Sequence, residues 1–355
     1  MTPKISICVP NLNTRSYLSH RFQTIFEQSC GDWELLVYDS HSDDGAWEFI
    51  QELAAVEPRM RAWQGPREGT PGSWTPCIRE ARGEYVYIAT SDDTMPPDFL
   101  QTMSDALDAH PECDLAHAPL RAIDEWGHEL ADWWSDDSVF CRSSGALARR
   151  RHLRRAPFDG LLHLAGISVY ISITQLLIRR TLFDRIGLFE STWGSIGDFH
   201  WSMRAGLAAN TVHVPETWGG WRIHRTQATA AAHIGSAGHA EKIERMIGDA
   251  VHACANWLPA AIVERLQREW APEAARWRAF KRGVADRERA VRRRAYVMRH
   301  LLSGSPAAWE HAADKLLSGR SCEESFSRRA RRWLHSTHVG PVLVACPCSA
   351  TLSRS

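Results

Sequence analysis

Glu84-Tyr85-Val86-Tyr87-Ile88-Ala89-Thr90-Ser91-Asp92-Asp93 runs an apolar strand pattern directly into two adjacent carboxylates. A buried strand of an open α/β sheet ends where ligands bind, because the loops at its carboxyl edge line a crevice that the sheet cannot fill. Acids there suit a hard divalent cation, which takes oxygen ligands and leaves positions open for a substrate's phosphates. The plainer alternative is a surface turn in which Asp solvates the strand end. The neighbouring segments weigh against that alternative.

Toward the N-terminus, Ile5 to Val9 is a short apolar strand broken by Pro10; Asn11-Leu12-Asn13 is turn-like, and Leu18, Phe22, Ile25 and Phe26 recur at helical spacing. A second strand, Glu34 to Tyr38, ends in Asp39-Ser40-His41-Ser42-Asp43-Asp44-Gly45, again acids and small polar residues just past an apolar run. Phe49, Ile50 and Leu53 mark the next helix, and Arg59 to Trp63 reads as a third strand before a Gly/Pro-rich loop through Gly72. Such alternation specifies a mostly parallel sheet with right-handed crossovers. Asp39 and Asp92 are therefore expected on one edge of one sheet.

With 42 basic and 42 acidic side chains in 355 residues, nothing in the charge balance points to nucleic acid. The length suits one large domain plus an appendage. No apolar run approaches the ~20 residues that span a bilayer, and no secretory leader pattern opens the chain, so a cytoplasmic enzyme is expected. Nine scattered cysteines read as reduced residues. Cys346 and Cys348 lack two further ligands nearby in sequence, which argues against a metal role.

Taken in order, Ile5-Ser6-Ile7-Cys8-Val9-Pro10 with Asn13, Gln28, Asp32-Trp33-Glu34-Leu35-Leu36-Val37, Asp39, Ser42, Asp44-Gly45, Ala81-Arg82-Gly83-Glu84-Tyr85 and Ser91-Asp92-Asp93 before Pro97-Asp98-Phe99-Leu100 resemble the inverting glycosyltransferases of the GT-A fold known as glycosyltransferase family 2. The resemblance extends to roughly residue 230. Gln175 to Arg180, Phe183 and Ile186-Gly187-Leu188-Phe189 look like the family's strand and short helix ahead of its catalytic acid. Gly197-Asp198-Phe199-His200-Trp201 with Arg204 is similar to the segment carrying the base. Trp221-Arg222-Ile223-His224, with Thr226-Gln227 and Thr229, resembles the loop that brings a His to the metal–diphosphate region. A lone His otherwise reads as structural.

The resemblance implies an α/β GT-A domain over 1–235, a mostly parallel mixed sheet flanked by helices. It implies transfer of a sugar from a nucleotide-diphosphate donor, most commonly a UDP-sugar, to a glycan, lipid-linked or small-molecule acceptor, with inversion by single displacement, as in polysaccharide biosynthesis. Pro10, Asn11, Asn13, Asp39, Asp92 and Asp93 would bind the donor, with Asp39 on the nucleotide and the Pro10–Asn13 loop closing over it. Asp92 and His224 would hold Mn2+ or Mg2+, and Asp198 would be the general base, its carboxylate held ionised by a helix N-terminus. Arg179, Arg222 and Arg225 are the candidates for neutralising the diphosphate without metal. The sequence also departs from the family. Thr90 stands where the first acid of Asp-x-Asp is common, Ser73-Trp74-Thr75-Pro76 replaces a usual donor-sugar contact, and Gly197 replaces a Glu. Thr90 keeps open a catalytically weak nucleotide- or glycan-binding module. A nucleotidyltransferase would need a Gly-rich, basic loop after the first strand, which Pro10-Asn11-Leu12-Asn13-Thr14-Arg15 does not provide.

A helical extension is expected over 236–335 and a disordered tail over 336–355. Around Trp277 to Met298 an Arg-rich amphipathic helix reads either as a peripheral membrane contact at the inner face or as a cap packed on the catalytic domain with a solvated Arg face. Of 16 tryptophans, Trp193 and Trp221 are expected near the cleft, with core packing the default for the rest. Asp132 to Phe158, with Asp136-Asp137 and Arg149-Arg150-Arg151, reads as an insertion folding over the donor.

Overall fold

In the computed structural model the described residues are 2–69, 72–130, 134, 138–224, 227, 237–285, 322–336 and 343–345. Strand and helix alternate as β1 (Ile5–Asn11), α1 (Arg15–Phe26), β2 (Trp33–Asp39), α2 (Ala46–Val56), β3 (Met60–Gln64), α3 (Trp74–Glu80), β4 (Tyr85–Ile88) and α4 (Phe99–Ala109). Every residue of β1 and β2 is buried. Strands covered on both faces read as near-continuous apolar runs, which is why the sequence announces them so clearly. Alternate side chains then enter opposite layers. Ile5, Ile7 and Val9 pack with Leu18, Phe22, Ile50 and Phe99, whereas Cys8 and Leu36 pack with Cys77 and Ile78.

The second half continues with β5 (Leu115–His117), β6 (Leu120–Ile123), α5 (Val139–Ser144), β7 (His152–Arg154), α6 (Phe158–Leu164), β8 (Leu176–Arg179), α7 (Thr181–Ile186), α8 (Gly197–Ala208), β9 (Thr211–His213) and β10 (Gly219–Arg222). Last come α9 (Ala237–Ala253), α10 (Ala260–Arg265), α11 (Ala271–Ala285), α12 (Cys322–Ser336) and β11 (Leu343–Ala345). Nine strands form one sheet in the order β11-β7-β9-β5-β8-β4-β1-β2-β3, and β10 pairs with β6 in a separate ribbon. The β3-β2-β1-β4 half is parallel. β8 enters antiparallel between β4 and β5. β5 and β9 therefore run in the same sense as β4.

Two expectations change here. The tail is not wholly without structure, because Leu343–Ala345 pairs antiparallel with Arg154–His152 as an edge strand. Residues 132–158 are not simply a loop over the donor either, since β7 lies within the main sheet; Asp136, Asp137, Cys346 and Cys348 lie outside the described residues. The C-terminal helices pack as a cap, with Met246, Trp270, Trp277 and Phe326 in the same apolar cluster as α6 and α8. The Arg-rich stretch beyond 285 lies outside the described residues. None of the described helices is long and apolar enough to cross a membrane.

Candidate active site

Two groups of side chains stand at the carboxyl edge of the parallel strands. The first surrounds Asp39. Its Oδ1 accepts from Asn11 Nδ2 at 2.7 Å and from the Ser42 hydroxyl at 2.6 Å, and its Oδ2 accepts from Gln64 Nε2 at 2.8 Å and the Ser42 amide at 3.0 Å. Asn13 and Asp43 exchange hydrogen bonds at 2.9 Å, joining the loop after β1 to the loop after β2. Asn13 and His41 hold left-handed backbone, at φ 54° and 53°, a conformation that Asn tolerates better than most residues. Asp39 is fully buried rather than open to the crevice as an acid at a strand end is expected to be. Burial alone would raise its carboxyl, but the donors of Ser42, Gln64 and Asn11 outweigh that and hold it below the usual carboxylate range.

The second group follows β4. Asp92 Oδ2 lies 3.0 Å from His224 Nε2 although the residues are 132 positions apart. The Asp92 side chain is a quarter exposed and that of His224 almost covered. Tyr17, near the start of α1, packs its ring 4.8 Å from the His224 ring. The sequence-expected metal pair is thus assembled in space. Asp93 does something different: it accepts from the Thr90 hydroxyl at 2.5 Å and from the Arg222 amide at 2.8 Å, buried and turned into the protein. Burial, with the Asp92 charge beside it, pushes its carboxyl up to about 7. Its partners make it a clasp between the β4 turn and β10.

Arg222 is spoken for as well. Its guanidinium donates to the carbonyls of Asp92 at 2.6 Å, Asp124 at 2.9 Å and Glu125 at 2.9 Å, and lies 3.1 Å from His20 Nδ1. Arg179 pairs in register with Tyr85, at the opposite edge of β4, and bonds Glu84 at 2.5 Å. Arg222 thus stands beside Asp92 with its guanidinium already engaged, Arg179 lies at the far edge of the sheet, and Arg225 lies outside the described residues. What brings His224 to Asp92 is a pair of glycines that the sequence reading passed over. Thr94 and Gly220 exchange backbone hydrogen bonds, each 2.9 Å. A Cβ on Gly220 would sit 2.1 Å from Thr94 Oγ1, and one on Gly219 would sit 2.8 Å from the Thr174 carbonyl. Two adjacent glycines before an aromatic strand were the available signal.

Asp198 lies in the first turn of α8. That helix leads into β9, which runs in the same sense as β4, so its N-terminus faces the edge where β4 ends. Contacts agree: the segment before α8 meets the region after β3, where the Thr75 hydroxyl donates to the Phe189 carbonyl at 3.1 Å. Asp198 Oδ1 accepts from the Phe199 amide at 2.8 Å. Even so, burial outweighs the backbone donors and raises its carboxyl to about 6, not down as a helix N-terminus alone would dictate. Trp193 is covered and packs against His200, with ring centroids 4.8 Å apart, and Trp221 is half-buried.

A divalent cation fits this donor pair in ligand type and spacing. Asp92 and His224 supply one oxygen and one imidazole nitrogen, and adjacent ligands each ~2.1 Å from an octahedral cation lie ~3 Å apart, close to the separation found. Among the described residues there is no cluster of three or more His, Cys, Asp or Glu that would cage a metal. Two protein ligands suit an ion whose remaining positions go to phosphate and water.

A sheet whose parallel strands end in carboxylates beside the switch to antiparallel pairing has the layout of a nucleotide-binding α/β domain. The profile described as "Glycosyl transferase family 2" matches residues 6–187. The chain belongs to that family. It is 26% identical over 100 residues to the putative teichuronic acid biosynthesis glycosyltransferase TuaG of Bacillus subtilis, covering 28% of this chain and 40% of the relative. To the chondroitin synthase of Escherichia coli it is 25% identical over 133 residues, covering 38% of this chain and 19% of the relative. It thus spans less than two thirds of either protein. The crystal structure of S. aureus TarS 1-349 in complex with UDP-GlcNAc superposes with a TM-score of 0.59 at 13% identity, covering 94% of this chain and 92% of that one. This likeness defines the fold, which is GT-A.

Proposed function

We propose that the protein is an inverting glycosyltransferase that moves a sugar from a nucleotide-diphosphate donor to a glycan acceptor. The observation that carries the reading is the meeting of Asp92 with His224 at the edge toward which Asp198 also faces. The Asn11, Asn13 and Asp39 network holds the loop that follows β1, just past Pro10, where the nucleotide would be received. UDP is the first donor nucleotide to test, since TarS is described in complex with UDP and with UDP-GlcNAc. A Mn2+ or Mg2+ ion held by Asp92 and His224 would supply positive charge against the departing diphosphate. Asp198, with a carboxyl near 6, is ionised at neutral pH yet basic enough to take the acceptor hydroxyl proton.

Donor hydrolysis against a panel of nucleotide sugars, with Mn2+ or with chelator, tests this directly. Asp92→Ala and His224→Ala should each lose cation-assisted turnover, by on the order of a hundredfold for Asp92. Equal turnover in chelator and in Mn2+ would remove the metal from the reading. The binding-module alternative rests on Thr90, whose hydroxyl holds Asp93 instead of supplying a second acid. Nucleotide binding without turnover of any donor would favour it.

A further inference from the structure

Beyond the β6–β10 ribbon, where β5 and β9 end, lies a cavity of about 650 Å³. It is lined by Arg121, Arg149, Arg150, Trp134, Trp218 and Glu129 among others. That size falls within the ~300–1,000 Å³ of small-ligand sites. Its charge is one-sided. Glu129 is engaged by Arg121 at 3.2 Å, and Arg149 and Arg150 form no ion pair among the described residues. The chain as a whole has zero net charge, so this local excess is not a by-product of a basic surface.

The arginines also stand on a braced segment. His213 Nε2 lies 2.9 Å from the Ala148 carbonyl. His213 Nδ1 lies 3.1 Å from the His117 carbonyl and 3.2 Å from His117 Nδ1, and His117 Nε2 lies 3.2 Å from Gln175 Nε2. His152 Nδ1 donates to the Arg150 carbonyl at 2.8 Å. All three imidazoles are fully buried, and burial keeps each well below its ordinary pKa. Half-buried Arg149 and exposed Arg150 are thus left without acids on a segment whose backbone is held in place. Arg121 lies 4.5 Å over the Trp218 ring and covers one face of that indole, which also lines the cavity.

We infer that this cavity binds the acceptor of the proposed transfer and that the acceptor is an anionic saccharide, its carboxylate or phosphate groups taken by Arg149 and Arg150 and its rings lying against Trp218. Planar guanidinium forks match carboxylate and phosphate in a bidentate manner, which ammonium groups do not. The inference rests on the glycosyltransferase reading for the word acceptor, and on the cavity alone for the anionic saccharide.

The test uses the full chain and isothermal titration with an oligogalacturonate hexamer, its fully methyl-esterified counterpart and a glycerol-phosphate oligomer. Binding of either anionic probe at least tenfold tighter than the neutral ester, weakening as salt is raised, is expected, and which probe binds identifies uronate or phosphate as the charge. Arg149→Ala with Arg150→Ala should lower that affinity at least tenfold while UDP binding stays as in wild type. Binding that ignores esterification or salt, or that survives the double substitution in a folded protein, overturns the inference; so does failure of both anionic probes to bind. The salt series on wild type decides the matter even where the double variant does not fold. Loss of the glycosyltransferase reading would appear separately, as wild type that binds the anionic probe but no UDP.

Discussion

Asp198 carries two consequences that pull apart the roles of base and helix cap. Asp198→Asn keeps the shape and removes the basicity, so transfer should fall about a hundred- to ten-thousandfold with nucleotide affinity unchanged. Because burial raises the folded-state carboxyl to about 6 against an ordinary value of 3.8, the folded state binds the extra proton between those two values. Stability from this group is therefore complete below about pH 4 and lost as pH rises through about 6. Asparagine escapes that loss, so at pH 8 the variant should melt at or above the wild-type temperature, whereas loss of a cap would lower it. Wild-type kcat/KM should climb with pH through an apparent pKa near 6 and flatten above it. A pH profile without that limb, or an Asn variant retaining most of its rate, would withdraw Asp198 as the base. Asp39 is the second residue to revise. Its substitution by Ala removes the acceptor that ties together Asn11, Ser42 and half-buried Gln64, so Asp39→Ala should lower the melting temperature as well as weaken UDP binding. Weaker UDP binding at an unchanged melting temperature would contradict a structural role for the Asp39 network.

At the scale of elements, the parallel half was legible and the assembly of its far side was not. β1, β2 and β4 declare themselves because strands covered on both faces are long apolar runs, and their ends carry Asn11, Asp39 and Asp92. β5, β7, β9 and β11 have three residues each, too few for any period to register, and their partners lie far along the chain. His224 was legible only through the resemblance of its loop, whereas the reason it reaches Asp92 lies in Gly219-Gly220. Gly220→Ala should therefore uncouple the ribbon from the β4 turn, since the new methyl cannot coexist with Thr94 Oγ1. Cation-dependent turnover should drop sharply, and a Thr94→Ala background should restore part of it by removing the clashing atom. Additive losses in the double variant would mean that the glycines act elsewhere.

On the scale of the whole molecule, the question is whether residues 1–235 are a unit. Sequence composition changes after about residue 238, which suggests a boundary, but composition reports surface chemistry and not what the apolar face of a helix lies against. Here Trp277 and Phe326 are fully buried in the cluster shared with α6 and α8, and Trp270 Nε1 donates to the Leu161 carbonyl at 3.3 Å. Arg278 pairs with Glu244 and its guanidinium also reaches the Leu164 carbonyl. Each such aromatic buries about 150–250 Å², so removing the helices would expose several hundred Å² of apolar surface beside the helix that carries Asp198. The His200–Asp249 contact at 2.7 Å would go with it, two residues from that carboxylate. A chain cut after residue 235 should consequently aggregate or melt far below the full protein, and any soluble fraction should lose transfer more than UDP binding, because the parallel half keeps its own core of α1, α2 and α4. Thermal melting and UDP titration of the truncated chain check this. A truncated protein that melts at the full-length temperature and transfers sugar at the full-length rate would establish the helices as a separable appendage and the boundary at 235 as real.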